Sequence, residues 1–454
     1  MSPVLPSFWP VQNARRLPAE LLDYVLDFLH EDKPSLRSCS LVARAFVASS
    51  QLHLFRTLSC GWEEDLGYGY VVPFFKEHLH LKPYVRSVYI VDYKQPGLRS
   101  PEMDRICLCS ITDILSTFPR LRVFTMGDVS LDFNTCCSSP PAHPFTPIDI
   151  VYLDLVDIMP HNTSLQHLVK LLKHFKDIQS LHIVNVWLHK EDDEVQAIKS
   201  VIDKELAEFP SSWSPPLAQL TISGEPEGML APFAHLLTTC DTLRDLEELN
   251  IACFDWTEFD AAATITRGSN KGLLSLKVDV AMLFWSTVNV ESEEELLAVT
   301  TDPGEWKYLG LSSFKSLRIF ETSVKLFEPW SSEKFPNLQP SVRGFQLMLD
   351  FLSEVPRSIE DLTIFLRFER QSYIESISQG YDWGRLMSII YSFPGLTDAD
   401  IILLYGPEAS DDIIGQCQHI VLTALRPFTK RKKKSLIRVA YEQGNYNDIF
   451  CAVD

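Results

Sequence analysis

Between Arg16 and Phe55 apolar side chains fall at helical steps. Leu21, Leu22, Val25, Phe28 and Leu29 recur three and four residues apart, which places them on one face of a helix. Pro18 occupies a first-turn position where its missing donor would be unpaired anyway, and Glu20 sets a carboxylate near the positive end of that helix. Asp32-Lys33-Pro34 punctuates its end. Ser35, Leu36 and Cys39 begin a short second helix, and Leu41, Val42, Ala45 and Phe46 give the stripe of a third that fades near Ser49 and Ser50. Three helices in about forty residues, without disulfide or metal, bury too little surface to stand alone. Their apolar surface therefore either caps the domain that follows or docks on another chain.

Beyond this unit one pattern recurs, apolar-x-x-apolar-x-apolar. It starts at Val85, Leu121, Ile150, Ile178, Leu217, Leu246, Leu273, Ile359 and Leu436, and in weaker form at Leu317 and Leu396. Three apolar positions in six arise often by chance in a chain that is 46% hydrophobic, so context has to carry the reading. Several copies follow a helix-like run and a short break, as in HLVKLLKHFKDIQSLHI and LMLDFLSEVPRSIEDLTI. The starts lie 27 to 44 residues apart, leucine-rich-repeat-like at the short end and longer elsewhere. A unit of this kind cannot bury its own apolar face, so units stack. The pattern predicts an α/β chain, a leucine-rich-repeat-like solenoid with parallel strands on the concave side and helices on the convex side. No regular asparagine follows the strands.

Alternation along a strand turns the residue between the last two apolar positions away from the helices. Those residues are Tyr89, Thr125, Asp154, His182, Thr221, Asn250, Lys277, Glu321, Thr363, Asp400 and Ala440. All but the last can make polar contacts, so the row is either a recognition surface or an ordinary solvated sheet face. Tyr89, Asp154, His182, Asn250, Lys277, Glu321 and Asp400 are the candidates for contact with a bound protein.

Composition narrows the functional classes. With 22% charged residues the chain reads as folded, and 60 acidic against 41 basic residues, a net charge of -19, argue against nucleic acid or an anionic membrane as the main partner. Ten cysteines without an even framework suit a reducing compartment. The first residues lack a secretory pattern and no run of 18 apolar residues exists, so the chain reads as cytoplasmic or nuclear. Lys430 to Lys434 (KRKKK) is a nuclear import signal, a contact for an acidic partner, or a solvated loop.

Catalytic and metal motifs are missing from the sequence. It holds no GxxxxGK[ST], HExxH or GxSxG. His78 and His80 have no partner at ligand spacing, and Cys107 with Cys109 has no companion pair for zinc. Cys136-Cys137 sits in a proline-rich loop, Asp132 to Pro147, and the acidic runs His189 to Glu194 and Glu291 to Glu295 read as solvated helix starts or loops. The expectation is a non-catalytic chain with no cofactor and no metal.

The run Leu17-Pro18-x-Glu20-Leu21-Leu22-x-x-Val25-x-x-Phe28-Leu29, with Leu36, Cys39, Leu41-Val42, Arg44, Phe46 and Leu54-Phe55 after it, resembles the F-box. Phe46 stands where tryptophan is frequent and Ala43 where cysteine is frequent, both apolar replacements. The resemblance implies a trihelical module that binds the Skp-type adaptor of cullin-RING ubiquitin ligases. By it, Leu17, Pro18, Leu21, Leu22 and Val25 lie at or beside the adaptor contact, while Phe46 and Phe55 help hold the helices together. The implied organisation is an N-terminal tail over 1–14, the F-box over 15–58, a connecting helical linker over 59–84 and the solenoid over 85–454. The implied function is the substrate-recognition subunit of an SCF-type ligase, joined through the adaptor to a cullin and holding a protein substrate. The alternatives are an F-box scaffold without ubiquitin ligation and an enzyme with an F-box-like cap.

Overall fold

The computed structural model describes residues 19–60, 68–91, 105–131, 146–160, 165–186, 215–223, 230–253, 256–269, 272–280, 307, 309–326, 340–368, 381–405, 411–429 and 437–443. Leu17, Pro18, Cys136, Cys137, both acidic runs and the KRKKK run lie outside them.

Three helices open the described chain: α1 (Ala19–Asp27), α2 (Lys33–Val42) and α3 (Arg44–Arg56). Asp32 caps α2 by accepting from the Ser35 amide at 3.1 Å, with Pro34 in the first turn where its lack of an N–H costs nothing. Ala43 is extended (φ -151°, ψ 146°) and breaks the chain between α2 and α3. Leu41 and Val42 therefore close the second helix instead of opening the third. The third helix also does not fade at Ser49; it runs on to Arg56 and into strand β1 (Thr57–Cys60).

β1 begins a 12-stranded parallel sheet. The next strands are β2 (Ser87–Val91), β4 (Val123–Gly127), β6 (Ile148–Val156), β8 (Phe175–Val184), β9 (Gln219–Ser223), β10 (Glu248–Ala252) and β11 (Ser275–Asp279). After them come β12 (Ile319–Leu326), β13 (Asp361–Phe368), β14 (Asp398–Tyr405) and β15 (Ile437–Gln443), each beside its predecessor. All eleven positions expected from the apolar pattern are strands of this sheet. β1 adds a twelfth, so the sheet begins before residue 85. The expected linker contains helix α4 (Tyr68–Glu77) and a 3-10 turn (Leu79–Tyr84).

Helices between the strands cover one face: α5 (Leu108–Thr117), α6 (Leu165–Leu172), α7 (Leu230–Thr239), α8 (Trp256–Gly268), α9 (Pro340–Ser353), α10 (Trp383–Ile390) and α11 (Asp411–Thr429). Their apolar stripes meet the two inward residues of each strand. Val88 and Ile90, Leu153 and Leu155, Leu276 and Val278, and Ile401 and Leu403 share one continuous core with Ile114, Leu115, Phe259, Phe351 and Met387. A parallel sheet needs such crossovers, which is why helix, turn and strand alternate along the sequence.

Where strands end, three adjacent repeats repeat a local device. Asp128, Asp157 and Asn185 follow β4, β6 and β8 with φ of 54°, 51° and 50°, left-handed values that short polar side chains tolerate best among non-glycine residues. Each amide donates to the next strand's end: Asp128 to the Val156 carbonyl at 3.1 Å, Asp157 to Val184 at 2.9 Å, Asn185 to Ser223 at 2.9 Å. Asn185 Nδ2 also donates to Asp157 Oδ1 at 2.9 Å. Val129, Ile158 and Val186 after these turns are buried, and β5 (Ser130–Leu131) and β7 (Met159–Pro160), which follow the first two, join β3 (Arg105–Ile106) in a small parallel ladder. The chain thus has a short Asp/Asn ladder after its strands where a regular asparagine was not expected. Asn185→Ala is expected to lose about 2 kcal/mol, combining a left-handed alanine with a lost hydrogen bond, and Asn185→Gly only the latter part. Urea unfolding of both variants checks this; equal losses would contradict the backbone account.

Candidate functional site

Two surfaces of the described chain offer contact to a partner. The first is on the N-terminal helices. Leu26 and Leu36 are buried, and they stand apart from the core under the sheet. His53 Nε2 pairs with Asp27 Oδ1 at 2.9 Å, and the Ser49 hydroxyl donates to Asp23, tying α3 to α1. Phe55, expected to hold the helices together, packs edge-on against Phe75 at 6.3 Å and so joins α3 to the main core.

Helix α1 and the turn that follows it carry two apolar stripes, not one. Leu22, Leu26 and Leu29 form the inner stripe, half-buried or buried; Leu21, Val25 and Phe28 form the outer one, 50%, 55% and 71% exposed. Both series step by four and then three residues, the spacing of a single helix face. Tyr24 extends the outer stripe, its ring edge-on to Phe28 at 4.9 Å. Leu41 and Val42, at the end of α2, are exposed as well. Of the residues expected at a docking contact, Leu21 and Val25 stand on this outer stripe and Leu22 turns partly inward. Tyr24, three residues after Leu21 and four before Phe28, keeps the stripe's spacing but was not among the expected contact residues. Leu41 and Val42 were read as inward members of a third helix.

The second surface is the sheet face opposite the helices. Strand register places Ser59, Tyr89, Thr125, Asp154, His182, Thr221, Asn250, Lys277, Glu321, Thr363, Asp400 and Arg438 in one unbroken row. Ten of the eleven expected residues are in it. The exception is Ala440, which pairs with Ile402; Arg438 takes the expected position because β15 sits two residues out of the predicted frame. A two-residue shift preserves the face, so the row is longer in charge but unchanged in direction.

The row has two electrostatic halves. In the first, the Tyr152 hydroxyl and His182 Nδ1 are 3.0 Å apart, and His182 is only 5% exposed. His182 is therefore not presented to a partner as expected; its ring is occupied beneath the surface. Burial pushes its pKa down to about 4, which keeps it neutral, and burial pushes the neighbouring Asp154 up to about 6. Thr125 and Thr221 are buried too.

In the second half the charges neutralise one another. Lys277 Nζ lies 3.3 Å from Glu321 and 5.6 Å above the Phe365 ring. One residue pair further along the same strands, buried Asp279 accepts from Arg367 Nη2 at 2.8 Å and from the Ser323 hydroxyl. At the far edge Arg438 grips Asp400 with Nε at 2.7 Å and Nη2 at 3.1 Å, a two-point contact that raises the guanidinium pKa. Tyr89, Asp154, Asn250, Lys277, Glu321 and Asp400 remain partly exposed.

Among the described residues no group of three or more His, Cys, Asp or Glu is placed to hold a metal ion. Cys107 instead caps α5, its sulfur 3.4 Å from the Ser110 amide, and His78 stacks on Phe74 at 4.5 Å. Among the described residues no helix is long and apolar enough to cross a membrane. The fold and these surfaces define a class: an α/β repeat protein with a parallel sheet, a polar sheet face and a separate apolar helical surface. No family model matches the sequence, and none of the curated proteins compared with it matches.

Proposed function

We propose that this chain is the substrate-recognition subunit of an SCF-type cullin-RING ubiquitin ligase, with its N-terminal helices docking on the Skp-type adaptor and its repeat sheet holding a protein substrate. The observation that carries the reading is the outer stripe of α1. Leu21, Tyr24, Val25 and Phe28 are each at least half in solvent, on a unit whose described residues include two buried apolar ones, Leu26 and Leu36. Exposed large apolar side chains grouped on one helix mark a protein contact, because burying each is worth about 1.5 to 3 kcal/mol. The F-box resemblance lies over the same residues and supplies the adaptor as the occupant. The polar row across the sheet supports substrate holding by its length and its mixed chemistry. In this reading the chain performs no bond chemistry; it raises the local concentration of substrate lysines near the charged conjugating enzyme.

The test is capture of purified Skp-type adaptor by the full chain, comparing wild type with Leu21→Asp, Val25→Asp. Both side chains point into solvent, so the double variant is expected to keep its circular dichroism spectrum and melting temperature. Capture is expected to weaken at least about a hundredfold, the loss of two apolar contacts. Equal capture by wild type and variant, or none by folded wild type, would refute the docking role.

A further inference from the structure

One residue below the strands, where the chain enters the sheet, runs a row with a different charge pattern. Arg56, Arg86 and Arg122 stand immediately before β1, β2 and β4. The ladder links them: the Arg86 amide donates to the Arg56 carbonyl at 2.8 Å, and the Arg122 amide to the Arg86 carbonyl at 2.7 Å. Arg120 joins from the preceding turn, its carbonyl accepting from Arg86 Nη1 at 3.1 Å. Arg56, Arg120 and Arg122 are exposed and Arg86 is partly so.

None of the four is ion-paired to a carboxylate among the described residues. Burial, and then the charges of Arg120, Arg122 and Arg56, hold the Arg86 guanidinium below its ordinary value. This concentration of positive charge stands on a chain of net charge -19. At the other end of the same row Arg318 is answered by Glu360 at 2.8 Å, so unanswered arginines are not a general property of the row.

We propose that this arginine edge binds an acidic, Asp/Glu-rich segment of a partner protein. Adjacent strands lie about 4.8 Å apart, so the arginines are set at steps that match carboxylates three and four residues apart on a helix, about 5 to 6 Å. Each guanidinium offers a carboxylate two parallel donors. A single phosphate is held differently, by donors drawn to one point and often by backbone amides. Here the Arg86 and Arg122 amides are spent in the ladder, Arg86 Nη1 is bound to a carbonyl, and the charge is spread along an edge. A distributed run of carboxylates answers that layout. The site is separate from the helical docking surface and from the polar row, and stands whether or not the adaptor binds.

The experiment is fluorescence anisotropy of a labelled hexaglutamate peptide titrated with the full chain at low ionic strength. Binding is expected for wild type, to weaken on adding salt, to fall about tenfold in Arg56→Ala, Arg122→Ala, and to persist in Arg318→Ala. The double variant is expected to melt no lower than wild type, since it removes like-charge repulsion; that separates lost binding from lost folding. Equal binding by wild type and the double variant, or none by wild type, overturns the proposal. So does a phosphoserine peptide of equal net charge that binds tenfold more tightly than hexaglutamate, which would make the edge a phosphate site.

Discussion

Arg367→Ala is expected to destabilise the protein by about 3 to 5 kcal/mol, the largest single-residue effect the structure offers outside the apolar core. Arg367 and Asp279 are each only 7% exposed, and the guanidinium reaches the carboxylate at 2.8 Å across the one intervening strand, β12. Removing the arginine takes its 2.8 Å guanidinium partner from a buried carboxylate that also accepts from the Ser323 hydroxyl. That cost comes from stranding Asp279, not from the net worth of the pair. The double replacement Asp279→Leu, Arg367→Met is therefore expected to recover most of the loss. Urea unfolding of the three chains measures it. A loss under about 1 kcal/mol for Arg367→Ala would mean that water reaches Asp279 and the pair is not dry.

The second large effect is a pair of opposed pH dependences at neighbouring positions of the polar row. Asp154 is raised to about 6, so the folded state holds its proton more tightly than the unfolded chain does. Its burial costs nothing while both forms are protonated, below the unfolded value of 3.8, and costs stability as pH rises through about 6. His182 is lowered from 6.5 to about 4, so its burial costs nothing above 6.5 and costs stability as pH falls toward 4. In wild type the two slopes largely cancel between pH 4 and 6.5. Asp154→Asn is expected to gain on the order of 2 kcal/mol over wild type at pH 7 and little at pH 4, with the partial exposure of Asp154 trimming the full shift. His182→Asn should differ in the opposite sense, faring relatively better at pH 4 than at pH 7 by a similar amount. Urea unfolding at four pH values, taken as variant minus wild type, isolates these terms from every other titrating group. Difference curves of the same slope would contradict the assignment of one buried acid and one buried neutral imidazole.

Much of this architecture is legible in the residues because a parallel strand between helices has few ways to satisfy itself. Inward positions such as Val88 and Ile90 must be apolar and alternate, so the six-residue pattern marked eleven strands and their outward row. β1 escaped it because Thr57–Cys60 is short and directly continues α3, leaving no break to announce a strand. The frame of β15 slipped because Ile437, Val439 and Tyr441 alternate in either of two registers, and only pairing with Ala399, Ile401 and Leu403 chooses between them. The left-handed Asp128, Asp157 and Asn185 lie just outside the six-residue pattern and recur in three repeats among the described residues.

Function was less legible for the same reason that the fold was more so. Arg56, Arg86 and Arg122 are 30 and 36 residues apart in sequence and become neighbours only through the ladder. His182 packs against the Tyr152 ring of the neighbouring strand, 4.7 Å between centroids, a pairing that alternation along a strand does not encode. On α1, periodicity found apolar residues at helical spacing but merged two stripes; only packing separates Leu22, Leu26 and Leu29 from Leu21, Val25 and Phe28.

Hydrogen–deuterium exchange of the full chain with and without Skp-type adaptor tests most directly the proposed division between a helical docking surface and a polar sheet face. Slowed exchange over residues 20–28 and at the end of α2, with β6, β8, β10 and β14 unchanged, is the predicted result. Unchanged exchange in α1 with adaptor in excess, or protection confined to the strands, would contradict it.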